Sequence, residues 1–482
     1  MILPHRLALL LPVILLLPAC ALGPEPRSPS AEELGLPSAY LAGSPQPAGP
    51  VTADLATWWT TFDDPTLARL VDRSLEANTD LDAAAARVRQ ARASLVIVRA
   101  GLWPSLGVGA TAAVREADTG SFSLDATTYT AGFDAAYEVD LFGGTRRSIE
   151  ASTADLAAVE ASRQSVRISV VAEVALNYLD ARLAQQQFDI ARQNLAAQDE
   201  TLQIVEWRVM AGLVGQLDLE QARRLRAQTA AALPLFEQSL ASATNRLAVL
   251  TVQSSSAVEA QLGGTGEIPL AAVPDAGIPA ELLRRRPDVL AAERTLVADI
   301  ALIGVREADL YPALRLTGSF GGAGTSLGNT LDAAVGALAA GLTAPIFEGG
   351  RLRAAVEQQR AAADASLANY HGTVLAAIEE TENALVAADV AARREVELVV
   401  ALEAARNAVL LARNQYQAGL IDFQTLLDSE RSLLTTEDSR LSVRAARSVA
   451  AVQLYKALGG GWNVAPAEAL PAVSDAARGN SP

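Results

Sequence analysis

Tyr129-Thr130-Ala131-Gly132-Phe133-Asp134-Ala135-Ala136-Tyr137-Glu138-Val139-Asp140-Leu141 alternates apolar and mostly polar residues from end to end. A period of two sets Tyr129, Phe133, Tyr137 and Leu141 on one face of an extended strand and Thr130, Asp134, Glu138 and Asp140 on the other. Pairing this strand with Ser105–Val114, across the polar stretch Arg115–Thr127, predicts a β-hairpin with one apolar face. Its flanks read differently. Residues 66–99 and 145–211 contain neither Gly nor Pro and are rich in Ala, Leu and Arg, which predicts long helices on both sides. Asp64 followed by Pro65 is a helix start, a capping side chain before proline at the first helical position. The fold therefore hangs on how a hairpin set between long helices covers its apolar face.

The pattern occurs twice. Asp80-Leu81-Asp82-Ala83-Ala84 is answered by Asp288-Val289-Leu290-Ala291-Ala292, and Leu102-Trp103-Pro104 by Leu310-Tyr311-Pro312, at an offset of about 208 residues. Leu141-Phe142-Gly143-Gly144 is answered by Ile346-Phe347-Glu348-Gly349-Gly350, and Ala211-Gly212-Leu213-Val214 by Ala418-Gly419-Leu420-Ile421. The second copy predicts a helix from Ile278-Pro279 to about Ala308. Strands rising through Leu314, Leu316 and Phe320 and returning through Leu338 to Ile346 enclose a Gly321–Asn329 loop. A long helix over 351–417 and a shorter one over 423–458 follow, as 145–211 and 217–250 do in the first copy.

The lengths fit together. Segments 66–99 and 217–250 jointly match 145–211, and 279–308 with 423–458 match 351–417. Two short helices stacked end to end would lie antiparallel beside one long helix of roughly 100 Å. Such a shaft has strands at one end and helical turns at the other. Ala83–Ala86 and Ala361–Ala363 permit close helix packing. Each chain supplies four strands, fewer than the roughly eight a closed membrane barrel needs. The barrel must then be shared. Two chains would leave a filled interior and three a lumen. Asp134, Glu138 and Asp140 form its acidic inner set.

The remaining sequence narrows the chemistry. The formal net charge of −16 disfavours nucleic acid. His5 and Arg6 precede an apolar run, Leu7–Leu17, too short to span a bilayer and suited to a secretory signal. It ends in Leu17-Pro18-Ala19-Cys20, which resembles the bacterial lipobox, with Cys20 as the lipidation residue. Ala21 rather than aspartate after it suggests outer-membrane sorting by the same resemblance. Cys20 is the only cysteine, so no intrachain disulfide is expected. His371, in Tyr370-His371-Gly372, is the one histidine outside the signal and reads as a helix-face residue. No Ser-His-Asp arrangement, histidine-based metal cluster or Gly-rich phosphate loop is expected, and no enzyme activity.

Several further stretches carry a family resemblance: Trp59–Pro65 (WTTFDDP), Arg285-Arg286-Pro287-Asp288, Glu138–Gly143, Pro345-Ile346-Phe347, and Leu454–Trp462. With them the chain resembles the TolC-like outer membrane factors of tripartite efflux systems, most closely the lipoprotein (OprM/NodT-like) branch. The resemblance implies an α+β membrane duct, in which a long α-helical coiled-coil tunnel joins β-strands forming a trimeric 12-stranded outer-membrane β-barrel. Two internal structural repeats build it, 64–262 and 263–462. A signal peptide (1–19) and a lipid-anchored extended segment (20–63) precede them, and a tail (463–482) follows. The implied partners are a homotrimer, a periplasmic adaptor (membrane fusion) protein, an inner-membrane pump and outer-membrane lipid. The implied function is that of the outer-membrane exit channel of an RND-type tripartite efflux system, passively conducting small molecules such as drugs from pump and adaptor to the outside. A type I protein-secretion duct and a non-pore lipid-anchored periplasmic scaffold are the alternatives.

The resemblance also places sites. Gly212, Leu213 and Val214, with Gly419, Leu420 and Ile421, match adaptor-docking tips. Asp428 and Gln424 match the periplasmic gate, with Arg431, Arg223 and Arg224 as candidate partners for Asp428. Apart from the covalent diacylglycerol and N-acyl lipid on Cys20, no cofactor is implied. Labelling cells with palmitate should mark the wild-type chain and not Cys20→Ser, and label retained by the variant would remove Cys20 as the site.

Overall fold

The computed structural model describes residues 21–37, 39–41, 55–118, 123–274, 285–330, 332 and 334–463. The expected signal peptide, Cys20, the expected helix start at Ile278-Pro279 and residues 464–482 lie outside them. In chain order the described elements are α1 (Pro65–Ala77), α2 (Thr79–Ala100), β1 (Ser105–Asp118), β2 (Ser123–Val139), α3 (Gly144–Met210) and α4 (Gln216–Thr251). They continue with α5 (Ser255–Leu262), α6 (Pro287–Ala308), β3 (Ala313–Gly324), β4 (Val335–Thr343), α7 (Arg351–Gln417) and α8 (Phe423–Ala457). The order helix, hairpin, long helix, shorter helix thus recurs, and α3 and α7 have 67 residues each. Contacts divide the chain into two compact units that cut across the repeats. One holds the sheet (1–30, 86–160, 291–372), and the other is helical (31–85, 161–290, 373–482).

In the first unit the four strands form one antiparallel sheet in the order β1-β2-β3-β4. Its register separates the faces. Val108, Phe133 and Phe320 lie in one row, and Leu106, Ala135, Gly318 and Leu338 in the next on the same side. The opposite side carries Asp134 beside Ser319, and Glu138 beside Arg315. A hollow of about 540 Å³ opens there, lined by Ser105, Asp134, Thr317 and Ser319 among others. The apolar side is bare, with Leu338 94% exposed and Val108 77%.

Several strand ends differ from expectation. β1 and β2 run on through most of the expected loop Arg115–Thr127, pairing Arg115 with Ala126. β3 continues to Gly324, because Gly321–Gly324 still pair with Tyr129–Gly132. β2 stops at Val139, so Asp140 does not join Asp134 and Glu138. Instead its carboxylate accepts the Thr145 and Arg146 amides, both at 3.1 Å, and the Arg146 guanidinium at 3.0 Å. There it offsets the unpaired donors at the start of α3.

The helical unit has a core of Trp58, Trp59, Phe62, Leu67 and Leu70 against Tyr178, Leu179, Leu247 and Tyr455. Trp58 stacks on Tyr455 at 5.2 Å. Asp64 caps α1 as expected, accepting from Thr66 at 2.8 Å and Leu67 at 3.1 Å. The helix expected over 64–99 is broken at Asn78. Its side chain accepts from the Asp80 amide at 2.9 Å and donates to the Leu250 carbonyl at 2.9 Å. Asn competes for backbone bonds in this way, which favours a cap over a helix interior. α5, capped by Ser254, was not expected, since eight residues carry little periodicity.

Arg286, next to Pro287 at the start of α6, is buried and donates to Asp288 (2.6 Å), Glu380 (2.7 Å) and the Ala457 carbonyl (3.3 Å). Burial by itself would raise the Asp288 pKa, but the Arg286 guanidinium holds it below the usual carboxylate value. A depressed folded pKa contributes stability above the unfolded value that is lost as pH falls through the folded one. Arg286→Leu should therefore lower stability by about 2 kcal/mol at neutral pH, less than the roughly 3–5 kcal/mol of a fully buried pair because both carboxylates keep some solvent. Thermal unfolding in detergent should show the gap to wild type narrowing below about pH 4.

Candidate functional site

Each long helix ends in the same turn. Gly212 has φ 69° and Gly419 φ 74°. Leu213 N–H donates to the Arg208 carbonyl at 2.8 Å and Gly212 N–H to Val209 at 2.9 Å. Leu420 to Gln415 and Gly419 to Tyr416 repeat that pair, both at 2.9 Å. A six-to-one bond enclosing a five-to-two bond is the Schellman ending, and its left-handed residue favours glycine. Leu213 and Leu420 project into solvent, 68% and 75% exposed. Val214 and Ile421 turn the other way, packing on a cluster with Val205, Leu219, Tyr416, Phe423 and Leu426. The sequence-derived tip residues therefore divide into an exposed Gly-Leu pair and an anchoring aliphatic residue. Asp422 starts α8, accepting from the Thr425 amide at 2.9 Å, and the Thr425 hydroxyl and amide hold its pKa down.

The two turns are tied together. Arg208 donates to the Tyr416 carbonyl at 2.6 Å and lies over the Tyr416 ring at 4.5 Å. Burial raises the Tyr416 pKa against the opposing charge of Arg208. The sequence landmarks did not single out this contact, because an arginine in a solvated helical pattern has no distinguishing mark. At the start of α8, Gln424 donates to Asp428 at 3.0 Å, so the structure brings this pair together on one exposed face. Arg223 is engaged elsewhere, with Glu220 at 3.1 Å and Glu206 at 3.3 Å.

A second feature lies in the sheet unit. In an antiparallel sheet the starts of β1 and β3 share a rim with the ends of β2 and β4. An aromatic residue flanks each strand there, two to four residues beyond its end: Trp103, Phe142, Tyr311 and Phe347. Phe142 and Tyr311 stack at 4.7 Å, and Trp103 and Phe347 are exposed. These residues served in the sequence as repeat landmarks, and only the strand pairing collects them into one girdle. The N-terminal segment meets the same rim. Leu22 N–H donates to the Phe142 carbonyl at 3.2 Å, and Arg147 Nε to the Leu22 carbonyl at 2.9 Å. Ala21 lies so close to Gly143 that a Cβ there would sit 2.6 Å from the Ala21 Cα.

Among the described residues, no helix is long and apolar enough to cross a membrane, and no group of three or more His, Cys, Asp or Glu is placed to hold a metal ion. A sheet with one bare apolar face, an aromatic rim and paired helical hairpins defines a class. The model of the outer membrane efflux protein family matches residues 70–251 and 278–460. The chain belongs to that family and is an outer-membrane efflux channel.

The chain is 36% identical over 468 residues to the pyoverdine export outer membrane protein OpmQ of Pseudomonas aeruginosa, covering 94% of this chain and 96% of that one. It is 31% identical over 459 residues to nodulation protein T of Rhizobium leguminosarum bv. trifolii, covering 93% and 96%. The solved outer-membrane channel OprN superposes with a TM-score of 0.85 at 35% identity, over 92% of this chain and all of that one. If the turns dock a partner, Gly212→Glu with Gly419→Glu should abolish export while leaving the amount of outer-membrane protein unchanged. Unaltered drug resistance in that double variant would remove the turns from the site.

Proposed function

We propose that three copies of the chain close their sheets into one 12-stranded barrel and form the exit duct of a tripartite efflux assembly with an RND-class pump. The observation that carries this reading is the sheet itself. It has four strands, leaves the outer edges of β1 and β4 unpaired among the described residues, and exposes its apolar face. In hydrocarbon every backbone donor and acceptor must be paired, so such a sheet is stable only when closed edge to edge with others. Its polar, concave side then lines a wet lumen. The aromatic rim suits a membrane–water boundary, where Trp and Tyr collect.

The same reading covers the ends. Acylated Cys20 is the lipid anchor. Supporting it, neighbouring Ala21 lies against Gly143 beside the aromatic rim, so acyl chains would start at the level of the interface. The exposed Gly212-Leu213 and Gly419-Leu420 pairs dock a periplasmic adaptor, with Val214 and Ile421 holding the turns rigid. Asp428 and Gln424 line the closed periplasmic end. Three symmetry-related carboxylates near one axis repel unless given donors, and the Gln424 amide is such a donor. Selection of cargo belongs largely to the pump.

Cross-linking in detergent should stop at a three-chain species, and a stable monomer in water without detergent would overturn the shared barrel. In planar bilayers Asp428→Ala should raise single-channel conductance. Conductance equal to wild type across a range of salt would leave Asp428 an ordinary surface carboxylate.

A further inference from the structure

The hairpins α3·α4 and α7·α8 carry ion pairs in matching places but with opposite sign. Beside the first turn the long helix supplies the acids: Arg223 Nη2 lies 3.3 Å from Glu206, and Arg226 Nε 2.8 Å from Asp199. Beside the second turn the long helix supplies the guanidiniums: Arg413 Nη2 lies 3.0 Å from Glu430, and Arg406 Nη2 3.2 Å from Glu437. Three of these positions correspond at an offset of about 207 residues, Glu206 with Arg413, Asp199 with Arg406 and Arg223 with Glu430. Away from the turns the reversal ends. Glu173 with Arg246, and Glu395 with Arg447, both place the acid on the long helix.

Duplicated hairpins face a choice that a single hairpin does not. Helices α3 and α7 have equal length, and α4 and α8 differ by one residue, 36 against 35. Length therefore does not tell a long helix which short helix is its own. Charge does. If α3 took α8 as its ion-pair partner, Asp199 and Glu206 would face Glu430 and Glu437. If α7 took α4, Arg406 and Arg413 would face Arg223 and Arg226. Where α8 does touch α3, the contacts are neutral donors: Thr201 Oγ1 to Glu430 at 3.1 Å and Asn194 Nδ2 to Glu437 at 3.0 Å.

We propose that the sign reversal is a pairing code, which makes each long helix close on the short helix of its own hairpin and rejects the other. It sits next to the turns because closing a short loop carries the smallest entropic cost, so a hairpin forms first there. The repeat-1 pairs are exposed and each adds little stability. Discrimination comes instead from the difference between right and wrong pairings, which counts attraction in one and repulsion in the other. The code acts within one chain and is independent of how many chains assemble.

Two full-length variants test it. In the reversed variant, Asp199→Arg, Glu206→Arg, Arg223→Glu and Arg226→Glu keep both repeat-1 pairs but give the two hairpins the same sign. In the neutral variant, Asp199→Asn, Glu206→Gln, Arg223→Gln and Arg226→Gln remove the pairs without favouring a wrong partner. Glu173→Cys with Arg246→Cys, added to each background and to wild type, reports native α3·α4 pairing through disulfide yield. The neutral variant should match wild type in disulfide yield and trypsin-resistant protein, while the reversed variant falls roughly fivefold or more. A reversed variant equal to wild type would overturn the code. Equal losses in both variants would also overturn it, because the pairs would then supply stability and not selection.

Discussion

One interaction recurs where the helical pieces meet, and the rest of the helical unit depends on it. The last carbonyls of a helix have no partner within it. At the end of α4, the Leu250 carbonyl takes the Asn78 side-chain amide at 2.9 Å. At the end of α8, the Ala457 carbonyl takes the Arg286 guanidinium at 3.3 Å. Asn78 and Arg286 hold corresponding places in the two repeats, each just before the helix that runs on toward a hairpin. Both are buried, so an unmade bond here would leave a desolvated polar group. The seal lets short helices cover a long one in pieces without an orphaned backbone between them.

The sheet solves the opposite problem. Its backbone is satisfied between strands and open at both outer edges, and its apolar face has nothing over it among the described residues. A soluble protein would not keep such a surface. In the shared barrel proposed above, lipid would cover the apolar face and the polar hollow would face the lumen. Among the described residues no helix is long and apolar enough to cross a membrane.

The same order of helix, hairpin, long helix and shorter helix recurs in both halves, yet the halves are not equivalent. The Gly212 and Gly419 turns repeat each other bond for bond. The seals differ in chemistry, an amide in one half and a guanidinium with two carboxylates in the other. The ion pairs beside the turns differ in sign. What is shared fixes geometry, and what differs separates two similar surfaces that would otherwise compete.

Much of this was legible in the residues. Scarcity of Gly and Pro, with Gly372 the one exception, placed α3 and α7 to within a residue, and alternation located β2 and β4 though not their ends. Local rules of period and propensity decide those features, and they act through neighbours in the chain. The girdle of Trp103, Phe142, Tyr311 and Phe347, the redirection of Asp140 to α3, and the break at Asn78 were not legible. Each depends on a contact between residues distant in sequence or on competition between a side chain and the backbone. Strand register gathers the aromatics, the end of β2 frees Asp140, and Leu250, far along the chain, gives Asn78 its acceptor. The sequence determined which segments are helix, strand or turn. Tertiary structure decided which polar groups those segments share, because hydrogen bonds and ion pairs are settled only when the partners meet.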